Sequence, residues 1–204
     1  MNHSERGKFS LTSNLVRAFV AVEVPECEAK NGILGFMRTV SESGADLKLV
    51  EPQNIHITLR FLGEVTVSKL ESIKAELSKI SFNAFDVSLL GVGVFPDYSH
   101  INVIWVAIDE GNVGIVDLYG KTTNALRRAG MPPDVRGLNP HITIARVRSG
   151  KNKEGLSKTI SGSMGLEFGT FHVDSFHLKR STLASTGPIY QSLLEVAGVQ
   201  GPTY

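Results

Sequence analysis

Two histidines in this chain keep the same local company. Asn54-Ile55-His56-Ile57-Thr58-Leu59 recurs as Asn139-Pro140-His141-Ile142-Thr143-Ile144. Successive side chains of a strand point to opposite faces, so residues two apart share a side. Each copy therefore sets isoleucines against a core and turns an imidazole and a threonine hydroxyl the other way. Imidazole is the side chain whose ordinary pKa lies near neutrality. Two of them flanking a phosphodiester can do complementary work: one takes a proton from water while the other gives one to the departing oxygen. Each such transfer contributes about 10²–10⁴-fold in rate. Thr58 and Thr143 can donate hydrogen bonds to the non-bridging phosphate oxygens, and a nearby arginine can offset their charge. The scheme needs no metal and no cofactor. The residues alone leave open which imidazole is acid and which base.

Other chemistry finds less support. Neither copy has H-x-H or H-E-x-x-H spacing, so a metallohydrolase using His56, His141 and a third histidine would leave the threonines without a purpose. No G-x-S-x-G is present for a serine nucleophile. A nucleotide- or RNA-end-binding module without turnover is the remaining alternative, and the intact pairs in both copies count against it. Arg60 shares the polar parity of His56 and Thr58 but is read as a solvated surface residue. Phe61, on the parity of Leu59, is read as core. His3 lies in the N-terminal tail and His100 in a turn, while His172 and His177 differ in parity and cannot share one face of a regular strand. Cys27 is the only cysteine. It excludes an internal disulfide and a thiolate zinc site and suits a reducing compartment.

The elements that must position the two motifs follow from periodicity. Strands are expected near 17–24, 47–50, 55–62, 85–94, 101–108, 141–147, 171–180 and 189–196, and helices near 26–42, 67–80 and 113–129. FPDYSH reads as a turn and 150–165 as a polar loop with room for a short helix. Strands and helices mix without strict alternation, which favours an α+β fold over a doubly wound sheet. The repeated motif suggests two similar lobes related by an approximate twofold. The expected organisation is a tail over 1–15, one bilobal domain over 16–197 and a short tail over 198–204. Twenty-one basic residues nearly balance twenty acidic ones. That argues against a protein held on duplex nucleic acid by bulk charge, though not against a site that grips one phosphate or one RNA end. No secretory leader and no apolar run long enough to span a bilayer are seen, so a cytoplasmic protein without membrane attachment is expected.

The two motifs HITL and HITI resemble the signature of the two-histidine phosphoesterase superfamily. RAFVAVEVPE, NIHITLRFLGEV, GVGVFPDYSHINVIWVAI, NPHITIARV and LKRSTLASTGPIYQSL are similar, in order, to its RNA 2′,3′-cyclic phosphodiesterase branch, also called 2′-5′ RNA ligase. The resemblance implies a bilobal α+β fold in which two antiparallel sheets, with outer helices, flank a central cleft. It implies hydrolysis of a 2′,3′-cyclic phosphate to a 2′-phosphate, with weak reversible 2′-5′ ligation, acting on RNA ends or small cyclic nucleotides as a monomer. Carried onto this sequence, His141 would activate water and His56 would protonate the leaving 3′ oxygen. Thr58, Thr143 and Arg146 would bind phosphate. Arg146, five residues after His141, falls on the core-facing parity of a regular strand, so it reaches the cleft only if the strand ends, bends or bulges.

Overall fold

The computed structural model describes residues 15–185 and 187–200. Its order is β1 (Leu15–Glu23), α1 (Glu28–Glu42), β2 (Leu47–Leu49), a 3₁₀ turn (Pro52–Asn54), β3 (His56–Thr66), α2 (Val67–Leu77), β4 (Phe85–Asp97) and β5 (His100–Ile108). Then come α3 (Asn112–Arg128), β6 (His141–Val147), α4 (Lys153–Ser161), β7 (Glu167–Val173), β8 (Ser175–Ala184) and β9 (Gly187–Ala197).

All strands join one curled antiparallel sheet, ordered β7-β4-β5-β6-β3-β1-β8-β9, with β2 laid against β6. The sheet has two arms. One holds β7, β4, β5, β6 and β2; the other holds β3, β1, β8 and β9. Only Ile57 and Ile142 pair across their junction. This is the expected α+β, two-armed architecture, and each arm carries one copy of the repeated motif.

The helices form because each offers one apolar stripe to the convex side. In α2, Leu70, Ile73 and Leu77 are buried, and the Thr66 hydroxyl caps the helix by accepting from the Lys69 amide at 3.2 Å. The core lies between helices and sheet: Val16, Ala18, Val20 and Val22 of β1, Ile57 and Leu59 of β3, and Ile142 and Ile144 of β6 all point into it. The opposite parity faces the concave side. Phe19 is buried as well, but it stands outside this core and lines the concave surface.

Two sequence-based expectations are corrected. The single strand expected over 171–180 is two strands broken at Asp174, and they serve different arms: β7 pairs with β4, while β8 pairs with β1 and β9. FPDYSH is not wholly a turn, because β4 runs through Asp97 and β5 begins at His100. The short helix for which the polar segment 150–165 left room is present as α4, with Leu156 and Ile160 buried. Residues 198–200, assigned by sequence to the C-terminal tail, hydrogen-bond to the fold: the Gly198 amide donates to Asp174 at 2.7 Å and the Val199 amide to Phe82 at 2.8 Å. The N-terminal segment 1–14, His3 included, lies outside the described residues. Among the described residues no helix is long and apolar enough to cross a membrane.

Candidate active site

The pairing of Ile57 with Ile142 decides where the histidines fall. In an antiparallel ladder this puts His56 beside Thr143 and Thr58 beside His141, all four on the concave face, with the imidazoles on the diagonal of the square. Diagonal neighbours of this kind stand about 7–8 Å apart. The sequence-predicted pairs are thus brought together at the one seam between the arms.

Both imidazoles are held the same way. His56 Nδ1 lies 2.6 Å from the Asn54 carbonyl oxygen, and His141 Nδ1 lies 2.7 Å from that of Asn139. A carbonyl can only accept, so Nδ1 carries the hydrogen in each ring and the Nε2 lone pair is turned away from that anchor. The repeated asparagines therefore act through their backbone. Asn54 also uses its side chain, donating at 3.1 Å to the Pro188 carbonyl on β9. His56 Nε2 accepts from the Thr58 hydroxyl at 3.1 Å.

The bulge that Arg146 requires is present. Along β5 and β6, Thr143 pairs with Trp105 and Ala145 with Ile104, which leaves Ile144 as an extra residue. The shift returns Arg146 to the face of His141 and Thr143. The first arm repeats the device: Thr58 pairs with Ala21 and Arg60 with Val20, leaving Leu59 extra. Two expectations fall with it. Phe61 turns to the concave side and is 60% exposed, not core. Arg60 turns inward and is 4% exposed, not solvated. It donates to the Pro132 carbonyl at 2.7 Å and pairs with Asp134 at 3.2 Å. The guanidinium thereby fastens the loop that leads into His141.

Aromatic rings back each imidazole. His56 lies 5.1 Å from Phe19 and 5.6 Å from Tyr190, centroid to centroid. His141 stands edge-on to Phe95 at 4.9 Å and 6.0 Å from Trp105. This shielding pushes both imidazoles below the ordinary value. For His56 burial is the main cause, with the charge of His141 adding to it against the Asn54 hydrogen bond. For His141 burial again leads, and the Arg146 charge adds to it against the Asn139 hydrogen bond. Burial raises the Tyr190 phenol, and the charges of Arg146 and Arg17 oppose that rise.

Comparison with known proteins places this geometry. A family described as LigT-like phosphoesterase matches residues 24–105 and again 108–190, one match for each copy of the motif. The chain belongs to the LigT-like phosphoesterase family. An RNA 2′,3′-cyclic phosphodiesterase of Methanothermobacter thermautotrophicus is 32% identical over 180 residues, covering 87% of this chain and 96% of that protein. One of Archaeoglobus fulgidus is 36% identical, covering 87% and 98%. A crystal structure of E. coli LigT complexed with 3′-AMP shares the fold at a TM-score of 0.73 and 24% identity, covering 92% of this phosphoesterase and all of that chain.

The other histidines among the described residues stand apart from the seam. His172, on outer β7, pairs with Asp86 at 2.7 Å, and its pKa is raised chiefly by that hydrogen bond. His177 sits on β8, 3.0 Å from the Ser192 hydroxyl, and His100 is exposed at the first position of β5. Phe19, Phe61, Phe95, Trp105 and Tyr190 are the cleft residues that sequence reasoning missed. An alternating strand marks parity, but it does not say which aromatic side chain of which strand lands beside an imidazole. All five lie in segments that carry the family resemblance, but nothing in those segments singled them out as neighbours of the imidazoles.

Proposed function

We propose that this phosphoesterase hydrolyses RNA 2′,3′-cyclic phosphate ends to 2′-phosphates through the pair His56 and His141. The observation that carries the proposal is the matched anchoring of the two rings, which leaves both Nε2 atoms on one concave face beside two threonine hydroxyls. Water attacks phosphorus opposite the P–O3′ bond while His141 Nε2 takes its proton. The P–O3′ bond breaks as His56 Nε2–H protonates O3′, leaving a 3′-hydroxyl and a 2′-phosphate. Thr58 and Thr143 donate to the non-bridging oxygens and Arg146 offsets their charge. The base role goes to His141 as the family resemblance implies, and the Arg146 charge beside it is compatible with that role because it favours the neutral ring. A ribose 5′-hydroxyl in place of water would form a 2′-5′ bond by the same proton movements. That is the ligation the family resemblance implies.

Phe61 offers an open aromatic face on which a base can stack. The relatives named RNA 2′,3′-cyclic phosphodiesterase support the substrate class. Among the described residues no three histidine, cysteine or carboxylate side chains gather as a metal-binding group, which favours acid–base chemistry over the metallohydrolase alternative. The test is direct: chelator-treated protein is given adenosine 2′,3′-cyclic phosphate and the product is read by phosphorus NMR. A 2′-phosphate formed at an undiminished rate is expected. Loss of activity that zinc or manganese restores, or a 3′-phosphate product, would overturn the proposal.

A further inference from the structure

The concave face carries more positive charge than one cyclic phosphate uses. Lys48 on β2 pairs in register with Arg146 on β6, so the two side chains leave the sheet on the same side, one strand spacing of about 4.8 Å apart. Its ammonium reaches the other arm: a Cβ placed on Gly187, at the start of β9, would come 3.1 Å from Lys48 Nζ. Pro188, the next residue, is tied to Asn54 and so to the His56 turn. Lys48 thus bridges the floor of the cleft between Arg146 and the β8–β9 hairpin. Arg17 leaves β1 on the side of Phe19, opposite Glu64 of β3 but without an ion pair to it, and its charge, like that of Arg146, opposes the burial-driven rise of the Tyr190 phenol.

These cations are also unspent. Lys179, the further lysine of the concave side, is neutralised by an ion pair with Glu23. Among the described residues neither Lys48, Arg17 nor Arg146 has a carboxylate within ion-pair distance. A 2′,3′-cyclic phosphate bears one negative charge, which Arg146 and a protonated imidazole already offset. A free cyclic nucleotide has no second anion to offer. The end of an RNA chain has one, and it lies on the 5′ side of the terminal ribose.

We propose that Lys48, assisted by Arg17, forms a second anion subsite for the phosphodiester 5′ to the terminal nucleotide, so that an RNA chain end is preferred to a free cyclic nucleotide. This rests on the cyclic-phosphodiesterase reading of the His56–His141 site. It is tested by the ratio of kcat/KM for the dinucleotide ApA 2′,3′-cyclic phosphate to that for adenosine 2′,3′-cyclic phosphate. Wild-type protein prefers the dinucleotide. Lys48→Ala lowers the ratio about tenfold, the worth of one charge-assisted hydrogen bond, and Lys48→Arg restores most of it. The salt dependence of the dinucleotide rate, plotted log against log, flattens by about 0.7 in Lys48→Ala, as for one lost single-strand phosphate contact. A wild-type ratio near one, or an unchanged ratio in Lys48→Ala, overturns the subsite and leaves the catalytic reading standing. Failure of wild-type protein to cleave either substrate sinks the catalytic reading instead. Calorimetric titration with the 2′-phosphate products of both substrates then decides the subsite: weaker binding of the dinucleotide product alone in Lys48→Ala supports it, and equal losses overturn it.

Discussion

Gly93→Ala should damage the site without touching a residue that meets substrate. Gly93 on β4 pairs with Trp105 on β5, and the indole lies flat over the bare backbone. A Cβ there would stand 2.1 Å from Trp105 Cζ2 and 2.3 Å from Cη2. Carbon atoms rest at about 3.5 Å, so the indole must withdraw by about 1.4 Å. It cannot do so freely: Phe95 lies 5.1 Å away on one side and His141 stands 6.0 Å away. The displacement therefore passes to the imidazole. A misplacement of about 1 Å costs about 10²-fold in rate, and overpacking adds about 1–3 kcal/mol of destabilisation. That corresponds to about 2–4 °C in Tm for each kcal/mol in a chain of this size. Trp105 is the only tryptophan, so its emission reports the shift directly. The assay is kcat on a 2′,3′-cyclic nucleotide, together with the emission maximum and Tm. In a Trp105→Val background the new methyl has nothing to strike, and Gly93→Ala should then cost less than about threefold, the non-additivity expected of touching residues. A Gly93→Ala protein with full kcat and unaltered emission would refute the contact argument.

Further outcomes concern the imidazoles. His56→Ala and His141→Ala should each lower turnover by about 10²-fold or more; a substrate with sulfur at the 3′ position, whose leaving group needs little protonation, should rescue His56→Ala alone. Rescue of His141→Ala instead would reverse the two roles. Both imidazoles lie below their ordinary value, chiefly through burial, so in the free enzyme the protonated His56 that the reaction needs is lost as pH rises through a value under about 6.5. A bound phosphate favours the charged ring, so the basic limb of kcat should lie at higher pH than that of kcat/KM, and coincident limbs would contradict this. Arg146→Gln removes a charge that keeps His141 neutral, so the limb governed by His141 should move to higher pH; an unmoved limb would separate Arg146 from the base.

The seam between the arms was readable because it rests on alternation: His56 with Thr58, and His141 with Thr143, leave their strands on one side whatever happens elsewhere. Arg146, Phe61 and Arg60 lie beyond the point where alternation holds. A bulge is created by how two ladders fit together, and nothing in Leu59 or Ile144 distinguishes a bulged residue from an ordinary core position. The break at Asp174 was hidden for a related reason. No glycine or proline marks it; the one signal is a change of phase, the buried apolar residues passing from Phe171 and Val173 to Phe176 and Leu178 on the opposite parity, where the partners change from β4 to β1 and β9. Register, not composition, supplied what was missing.

The two copies of the motif are alike through their bulges and diverge immediately after them. At the inward position beyond the extra residue, the first arm has Arg60 and the second Ala145; at the next outward position, the first has Phe61 and the second Arg146. One backbone device thus presents a ring on one side of the cleft and a guanidinium on the other. A nucleotide is itself two-sided in this way, with an apolar base and an anionic phosphate. Symmetric arms would have gripped one end of it twice. The inward pair divides the work again. Ala145 merely fills core, while Arg60 crosses to Pro132 and Asp134 and fixes the approach to His141. Stripping such a buried charge of its partner costs about 3–5 kcal/mol, so the loop has strong reason to stay where the guanidinium holds it. The arm that carries His56 therefore also helps set the position of the histidine opposite, and the spacing of the pair does not depend on the single Ile57–Ile142 bridge alone.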